Sequence, residues 1–599
     1  MSAVAAEPVA IDPEAPRSWR PMVAIGLCQV MMAFNVASLP VAMGGMGESF
    51  DVPPTTIATG IVTYSMLVAG FVMLGAKLNQ RFGSVRLFRV AVLGFAVAQV
   101  LMTLSPNATI MITAQGLCGL FAAVLVPALV TLIAQNYRGA QQATALGMLG
   151  SAAAGAGVLA FLIGGILGST VGWRPAFGLL VVVAILVFRM STTFTIDPAN
   201  TEVQIDLIGV VLAALGIIGI STGFGQLNNW GALQAKSGAP FDIFGLSPAP
   251  IMIVVGIVLL QQFLLWTRRR DKQGKTPLLS LKVLDSPQER AAVICLFLVV
   301  GLEAMLNFSV PVYIQIVQGE SALATAIAMM PFNIALLLVA VLVVRIFNRF
   351  PPRIIGRVGF TLCAIGLSWL AWSASNNWDA MRVMVGLVVF GIGQGALITL
   401  LFNVLVSSSP KELAGDVGSL RGVTNNLAAG LGTAIAGALL VALLTASVVS
   451  RIEDSPVLPD DASELLDLDD VNFVSNDQLG EYLDGMALSD AQVVEAEQVN
   501  HEARLEALKM GFGLMALVAM LAILPAGGLP GYDPKEVPGG IGSAAWSATM
   551  GTIRKVDPRR TISKYRKHRE SQPAMVDTLR KVDLKRTITQ LRQDSGDKP

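Results

Sequence analysis

Charge is scarce in this chain, and histidine scarcer still. Of 599 residues only 14% are Asp, Glu, Lys or Arg, against 54% hydrophobic, and the mean hydropathy is +0.65. A soluble fold of this size cannot cover its surface with so few charges. The two histidines, His501 and His568, lie outside the apolar stretches, while Cys28, Cys118, Cys295 and Cys363 are scattered within them. Nothing here has the spacing of a metal site or a nucleophile–base pair, and cysteines so far apart read as small apolar fillers. A Gly-x-x-x-x-Gly-Lys-Ser/Thr loop is missing as well, so the chain does not hydrolyse nucleotides by itself. These absences argue against an enzyme, a cofactor protein and a nucleic-acid binder. The first apolar stretch follows about twenty polar residues without a small-residue cleavage site, which marks a retained helix rather than a signal peptide.

What is present is membrane-spanning length, repeated. A hydrocarbon core about 30 Å thick needs roughly 20 apolar residues in a helix. Runs free of charge, Asp242 excepted, occupy 21–47, 52–76, 90–137, 139–173, 207–235, 241–267, 304–319, 321–344, 358–378, 383–410, 422–450 and 510–532. The third is broken by Ser105-Pro106-Asn107 into two helices, and the fourth passes through Gly168 and Gly172 into a shorter span ending near Met190. The expected total is fourteen. The expected architecture is an all-α polytopic membrane protein: a short segment 1–20, a six-helix bundle over 21–190, and two extra helices with a linker over 191–290. A second six-helix bundle over 291–532 and a tail over 533–599 complete it.

Lys and Arg set the orientation. With residues 1–20 cytoplasmic, the inner connections carry nineteen cations, among them Lys77, Arg81, Arg86, Arg89, Arg268, Arg269, Arg270, Arg353 and Arg357; the short outer ones carry Arg174, Lys236 and Arg382. Both termini are therefore expected in the cytoplasm. Residues 451–506 read as an acidic outer loop without the Asp-x-Asp-x-Asp-Gly spacing of a calcium site. In the tail, residues 553–562 are repeated at 579–588, basic and with an apolar residue every three or four positions. Such a segment can lie on an anionic lipid surface, or simply continue the positive-inside bias.

Several motifs carry a family resemblance. The loop 76–86, Ala-Lys-Leu-Asn-Gln-Arg-Phe-Gly-Ser-Val-Arg, resembles the Gly-x-Leu-Ala-Asp-Arg-x-Gly-Arg-Lys gating motif of the major facilitator superfamily, with Arg81 and Gly83 matching and Lys77, Gln80 and Arg86 in the same loop. Gly172-Trp-Arg174, Asp206-Leu-Ile-Gly209, and Pro311-Val-Tyr-Ile-Gln315 followed by Gln318-Gly319 and Pro331 resemble features of its fourteen-helix drug:proton antiporter branch. The resemblance covers roughly residues 20–530. It implies a monomeric secondary transporter of a bacterial plasma membrane, with no cofactor, that exports lipophilic or amphipathic molecules by alternating access. The polar residues usually assigned to coupling are replaced: Met31 for an Asp, Ile112 for an Arg, Ala160-Phe161 for a Gly-Pro, Gln80 and Asn348 for loop Asp residues. The Glu-x-x-Glu-Arg of the peptide symporters is absent from the first span.

One acid remains deep in a span, Glu303, with Asn307 one turn on. A charge at that depth costs about 2.5–3.5 kcal/mol on insertion scales, so Glu303 is expected to face the bundle interior, protonated or paired. There it can carry a proton, touch substrate without coupling, or bond a neighbouring helix, and Asn307 is placed to donate to it. Gln29, Met32, Asn35, Gln115, Gln315, Asn333, Gln394 and Asn403 are the candidates to line a central cavity, which suits an apolar, amphipathic or cationic molecule better than a sugar or polyanion. Gly157, Gly164 and Gly165 are expected to permit close helix packing. A facilitator uncoupled from protons, a lipid-handling transporter and a non-transporting scaffold are the alternatives.

Overall fold

A computed structural model describes residues 18–137, 139–194, 200–346, 350–377, 379–408, 414–455 and 489–531. The tail repeat, Asn348 and most of the acidic stretch lie outside the described residues. Long helices dominate, and apolar residues in their first turns help start them: Pro stands at the first or second position of α1 (Arg20–Val41), α2 (Pro54–Phe82) and α6 (Arg174–Met190). A proline there has no intrahelical N–H bond to lose. Between them run α3 (Ser84–Thr103), α4 (Ala108–Asn136) and α5 (Gly139–Thr170). Asn107, within the predicted Ser-Pro-Asn break, caps α4 by accepting from the Ile110 N–H at 2.9 Å. These six form the first bundle.

The inserted pair is α7 (Leu207–Gly225) and α8 (Pro248–Lys272). The second bundle comprises α9 (Pro287–Pro311), α10 (Ala322–Ile346), α11 (Pro352–Ser373), α12 (Ala380–Ser408), α13 (Ala414–Asp454) and α14 (Asp490–Leu521). Thirteen of these fourteen are long and apolar enough to cross a membrane. The other, α6, has 17 residues, about 25 Å of helix, which is the short end of the spanning range. Apolar side chains cover the outside: Val97, Val182, Leu207 and Val254 are all well exposed. This is the arrangement expected where lipid, not water, is the solvent.

One correction to the sequence reading follows. The stretch 451–506 is not loop throughout, because α13 continues to Asp454 and α14 begins at Asp490. At 41 residues α13 is about 60 Å long, twice the hydrocarbon thickness, so its end and the start of α14 form a paired extension with a small apolar contact of its own, Ile452 on Val499. Arg504 falls in the stretch 500–509, expected as an amphipathic lead-in to the last span; it lies on α14 and is almost wholly buried there.

The bundles meet at two helix pairs, α2 with α13 and α5 with α10, and α7 packs against both α2 and α13. Seven interhelix connections among the spans lie at one end of the molecule, α1–α2, α3–α4, α5–α6, α7–α8, α9–α10, α11–α12 and α13–α14. This is the α1–α2 end, the outer one under the orientation expected from Lys and Arg.

Candidate functional site

Glu303 follows Ile294 by nine residues. At 3.6 residues per turn that places them on opposite faces of α9. Ile294 is half exposed on the lipid side, so Glu303 points inward, where it is half-buried. Backbone packing beside it is tight: a Cβ on Gly432 of α13 would stand 2.4 Å from the Gly301 carbonyl and 3.1 Å from the Ala304 Cβ. Among the described residues no Lys or Arg pairs with Glu303. Its polar neighbour is the Gln394 amide of α12. That amide is wholly buried, and neither its Nε2 nor its Oε1 reaches full hydrogen-bond geometry with any partner. The expected bond from Asn307 does not form; the Asn307 Oδ1 is itself buried and unpartnered. Helical spacing brought Asn307 near, but its side chain points elsewhere, and the group that meets Glu303 comes from 91 positions away in sequence.

The other candidates separate into three groups. Asn35 and Gln115 turn to one another and to Gln99 of α3, a residue that nothing in the local sequence singles out. Asn35 Nδ2 donates to Gln115 Oε1 at 2.9 Å, and Asn35 Oδ1 accepts from Gln99 Nε2 at 2.7 Å and from Gln115 Nε2 at 3.2 Å. All three are fully buried, so in this conformation they join α1, α3 and α4 rather than line a cavity. Met32 is likewise buried in the core. Gln29, Asn333 and Asn403 are half-buried, and Asn333 Nδ2 donates back to the Met329 carbonyl at 3.1 Å. Gln315 is drawn to the α1–α2 end, where it accepts from the Gly44 N–H at 2.8 Å and donates to the Pro40 carbonyl at 3.2 Å.

Gly157 and Gly165 lie at the seam between bundles, while Gly164 faces α1 within the first bundle. A Cβ on Gly165 would fall 2.5 Å from the Ala326 Cβ of α10, and one on Gly157 would fall 2.8 Å from Asn333 Oδ1; at Gly164 the nearest atom is Val41 Cγ1 at 3.5 Å. In the α2–α3 loop Gly83 has φ of +89°, a conformation that favours glycine. Arg81 donates to the Val203 carbonyl of the linker at 3.5 Å, whereas Gln80 and Arg86 are exposed. The Lys77 charge acts on the Asp416 carboxylate near the start of α13, an influence between bundles that no local pattern announces. Asn79, also unforeseen, is buried and donates from Nδ2 to the Val124 carbonyl at 2.9 Å. The motif acid Asp206 caps α7 and binds α8: it accepts from the Gly209 N–H at 3.1 Å and from Trp266 Nε1 at 3.0 Å, and pairs with Arg270 at 3.5 Å.

Two six-helix bundles joined through small-residue seams, with an inward acid at mid-span, define a multi-span membrane protein. Residues 25–433 match the family described as Major Facilitator Superfamily, and the chain belongs to that family. Relatives include the multidrug efflux pump LfrA of Mycolicibacterium smegmatis, 24% identical over 438 residues, covering 72% of this chain and 82% of LfrA. The puromycin resistance protein pur8 of Streptomyces alboniger is 24% identical over 468 residues, covering 77% and 88%. Among solved structures, a bacterial homolog of the human lysosomal transporter Spinster, inward-facing and unoccupied, superposes with a TM-score of 0.55 at 14% identity, covering 85% of this chain and 98% of that one. That likeness is one of fold.

Proposed function

We propose that this protein is a secondary transporter that exports lipophilic or amphipathic small molecules across a bacterial plasma membrane by alternating access, with Glu303 carrying the coupling proton. The observation that carries the reading is the pairing of an inward mid-span carboxyl with an otherwise unpartnered buried amide, in a chain of the same family as LfrA and pur8. A carboxyl without a basic partner is favoured in its neutral form while buried, and ionises when water or a cationic group reaches it. Gln394 offers both a donor and an acceptor, so it can serve either form. Proton and substrate then load the same region from opposite sides in turn, as the bundles over 21–190 and 291–532 rock about a midplane site.

That no Lys or Arg among the described residues pairs with Glu303 favours neutral amphipathic or cationic cargo. Anionic lipid contact by the tail, both termini on the cytoplasmic side and a monomeric state belong to the same reading. The test is flux in proteoliposomes, with and without an imposed pH gradient, for wild type and Glu303→Gln, using lipophilic cations, dyes and fatty-acid-like compounds. Gradient-driven flux that vanishes in Glu303→Gln is the expected result. Flux indifferent to both the gradient and the substitution would make the chain a facilitator with a structural Glu303. No flux of any compound would favour a scaffold.

A further inference from the structure

The end of α9 departs from α-helical geometry. Pro311 supplies no N–H to the ladder, and beyond it Val312–Val317 winds as a π turn, closed by the Gln318 N–H donating to the Tyr313 carbonyl at 3.1 Å. Such turns are rare and cluster at functional sites. Four side chains, Tyr313, Gln315, Gln318 and Arg504, hold this one. On the second-bundle side, the Tyr313 hydroxyl donates to the Ser375 carbonyl at 2.8 Å and accepts from the Ser375 N–H at 3.1 Å, and Gln318 Nε2 donates to the same carbonyl at 2.9 Å. Arg504 of α14 donates from Nη1 to the Ile316 carbonyl at 3.5 Å. The turn is thereby fixed to the α11–α12 connection and to α14, and its remaining polar side chain, Gln315, reaches out of the second bundle altogether.

Gln315 clasps the end of the first bundle by backbone alone, through the Pro40 carbonyl and the Gly44 N–H. Gly44 belongs to the short helix Met43–Phe50, which is braced from behind by the Gly172-Trp-Arg174 turn. Trp173 Nε1 donates to Ser49 Oγ at 3.1 Å, and its ring meets Phe50 edge-on at 5.4 Å. A Cβ at Gly44 would sit 2.8 Å from Gln315 Oε1, so the fit leaves no room for a side chain there. Both halves of the contact are anchored, and they meet at the end that has to part for cargo to leave.

We propose that the π turn is the latch of the α1–α2 end: Gln315 holds the two bundles shut there, and its two hydrogen bonds to Pro40 and Gly44 break whenever that end opens. This rests on the alternating-access reading for its role in transport, but the latch itself is measured without cargo. A reporter cysteine at Val41, which is fully buried beside Gly164, is labelled with a membrane-impermeant maleimide in cells and in inverted vesicles; the native cysteines are all buried. Releasing two hydrogen bonds by Gln315→Ala should raise the labelling rate about tenfold from one face of the membrane. Gln315→Glu keeps an acceptor for the Gly44 N–H but has no donor for Pro40, and should fall between. Labelling is compared on monodisperse protein, so a variant that merely folds poorly contributes less material and not a faster rate. Equal rates in wild type and both variants would overturn the latch even if flux is robust. Faster labelling without flux of any compound would keep the latch and count against the transport reading.

Discussion

Gln394 faces Glu303 across α9 and α12, with both of its amide atoms buried and neither in full hydrogen-bond geometry. Leaving such a group unsatisfied costs about 1–3 kcal/mol, and a residue retained only for stability would not be chosen to pay it. Gln394→Leu is therefore expected to leave the unfolding temperature unchanged or raised, while flux falls at least about tenfold. Thermal unfolding in detergent, paired with proteoliposome flux, separates the two effects. A loss of stability with normal flux per folded molecule would make the amide structural.

The opposite pattern is expected at Asn35. Its side chain exchanges three hydrogen bonds with Gln99 and Gln115 in a site without exposed surface. Asn35→Ala strands both glutamines and should cost about 2 kcal/mol, at the upper end for polar contacts between membrane helices. The double substitution Gln99→Leu with Asn35→Leu should cost less than the sum of the two singles, because the stranded partner is removed too. Additive losses in unfolding measurements would show that the cluster is not one unit.

The contrast between these sites explains how much of the molecule was legible in its sequence. Helix number followed from apolar length, and Glu303 stood out because one acid in a charge-free run is a local anomaly. The partner of Glu303 did not follow. Spacing pointed to Asn307, four residues on, while the group in place is Gln394, whose approach depends on how α12 packs against α9. Gln99, too, looked like any polar residue in a span until α1, α3 and α4 were brought together. Arg504 falls on the helical lead-in to the last span as its surroundings suggest, but its burial was not legible, because Glu502 and Glu506 beside it read as a solvated face. The Pro311 to Gln318 motif was visible, but a π turn is set by competition between neighbouring carbonyls and has no composition of its own.

Asp206 is expected to be required for the docking of the inserted pair. It caps α7 while binding Trp266 and Arg270 of α8. Asp206→Ala removes the cap and leaves Arg270, which is only slightly exposed, without its counter-charge; the cost should be about 2–4 kcal/mol. Asp206→Asn retains a side-chain acceptor for Gly209 and Trp266 and should lose less than half as much. Limited proteolysis of the linker after α8 and unfolding in detergent report the order. Equal losses in the two variants would assign the effect to the ion pair alone.

Ion pairing at the far end of α13 should matter little by comparison. Arg451 reaches both Glu502 and Glu506 of α14, but all three side chains are a third or more exposed. Pairs of this kind contribute about 0–1 kcal/mol and are screened by salt. Glu506→Gln should shift the unfolding temperature by a degree or two (about 0.5 kcal/mol) at low ionic strength, and not measurably in 0.5 M salt. A large, salt-insensitive loss would mean that this extension is desolvated by something that covers it.

The seam between α5 and α10 gives the sharpest steric test. At Gly165 a side chain would begin 2.5 Å from the Ala326 Cβ, an atom fixed to its backbone and unable to swing aside, whereas at Gly155 nothing lies within 4 Å of a new Cβ. Both are glycines of the same helix, so propensity alone would favour alanine at either position by about 1 kcal/mol. Gly155→Ala should therefore be neutral or stabilising, with flux unchanged. Gly165→Val should hold the bundles apart at this seam, lowering flux about tenfold or more while the protein still reaches the membrane. The packing also predicts a second-site rescue: Ala326→Gly, which withdraws the opposing methyl, should restore much of the flux to Gly165→Ala. If Gly165→Ala already transports normally, the seam is not tight during the cycle, and its close packing belongs to this conformation only.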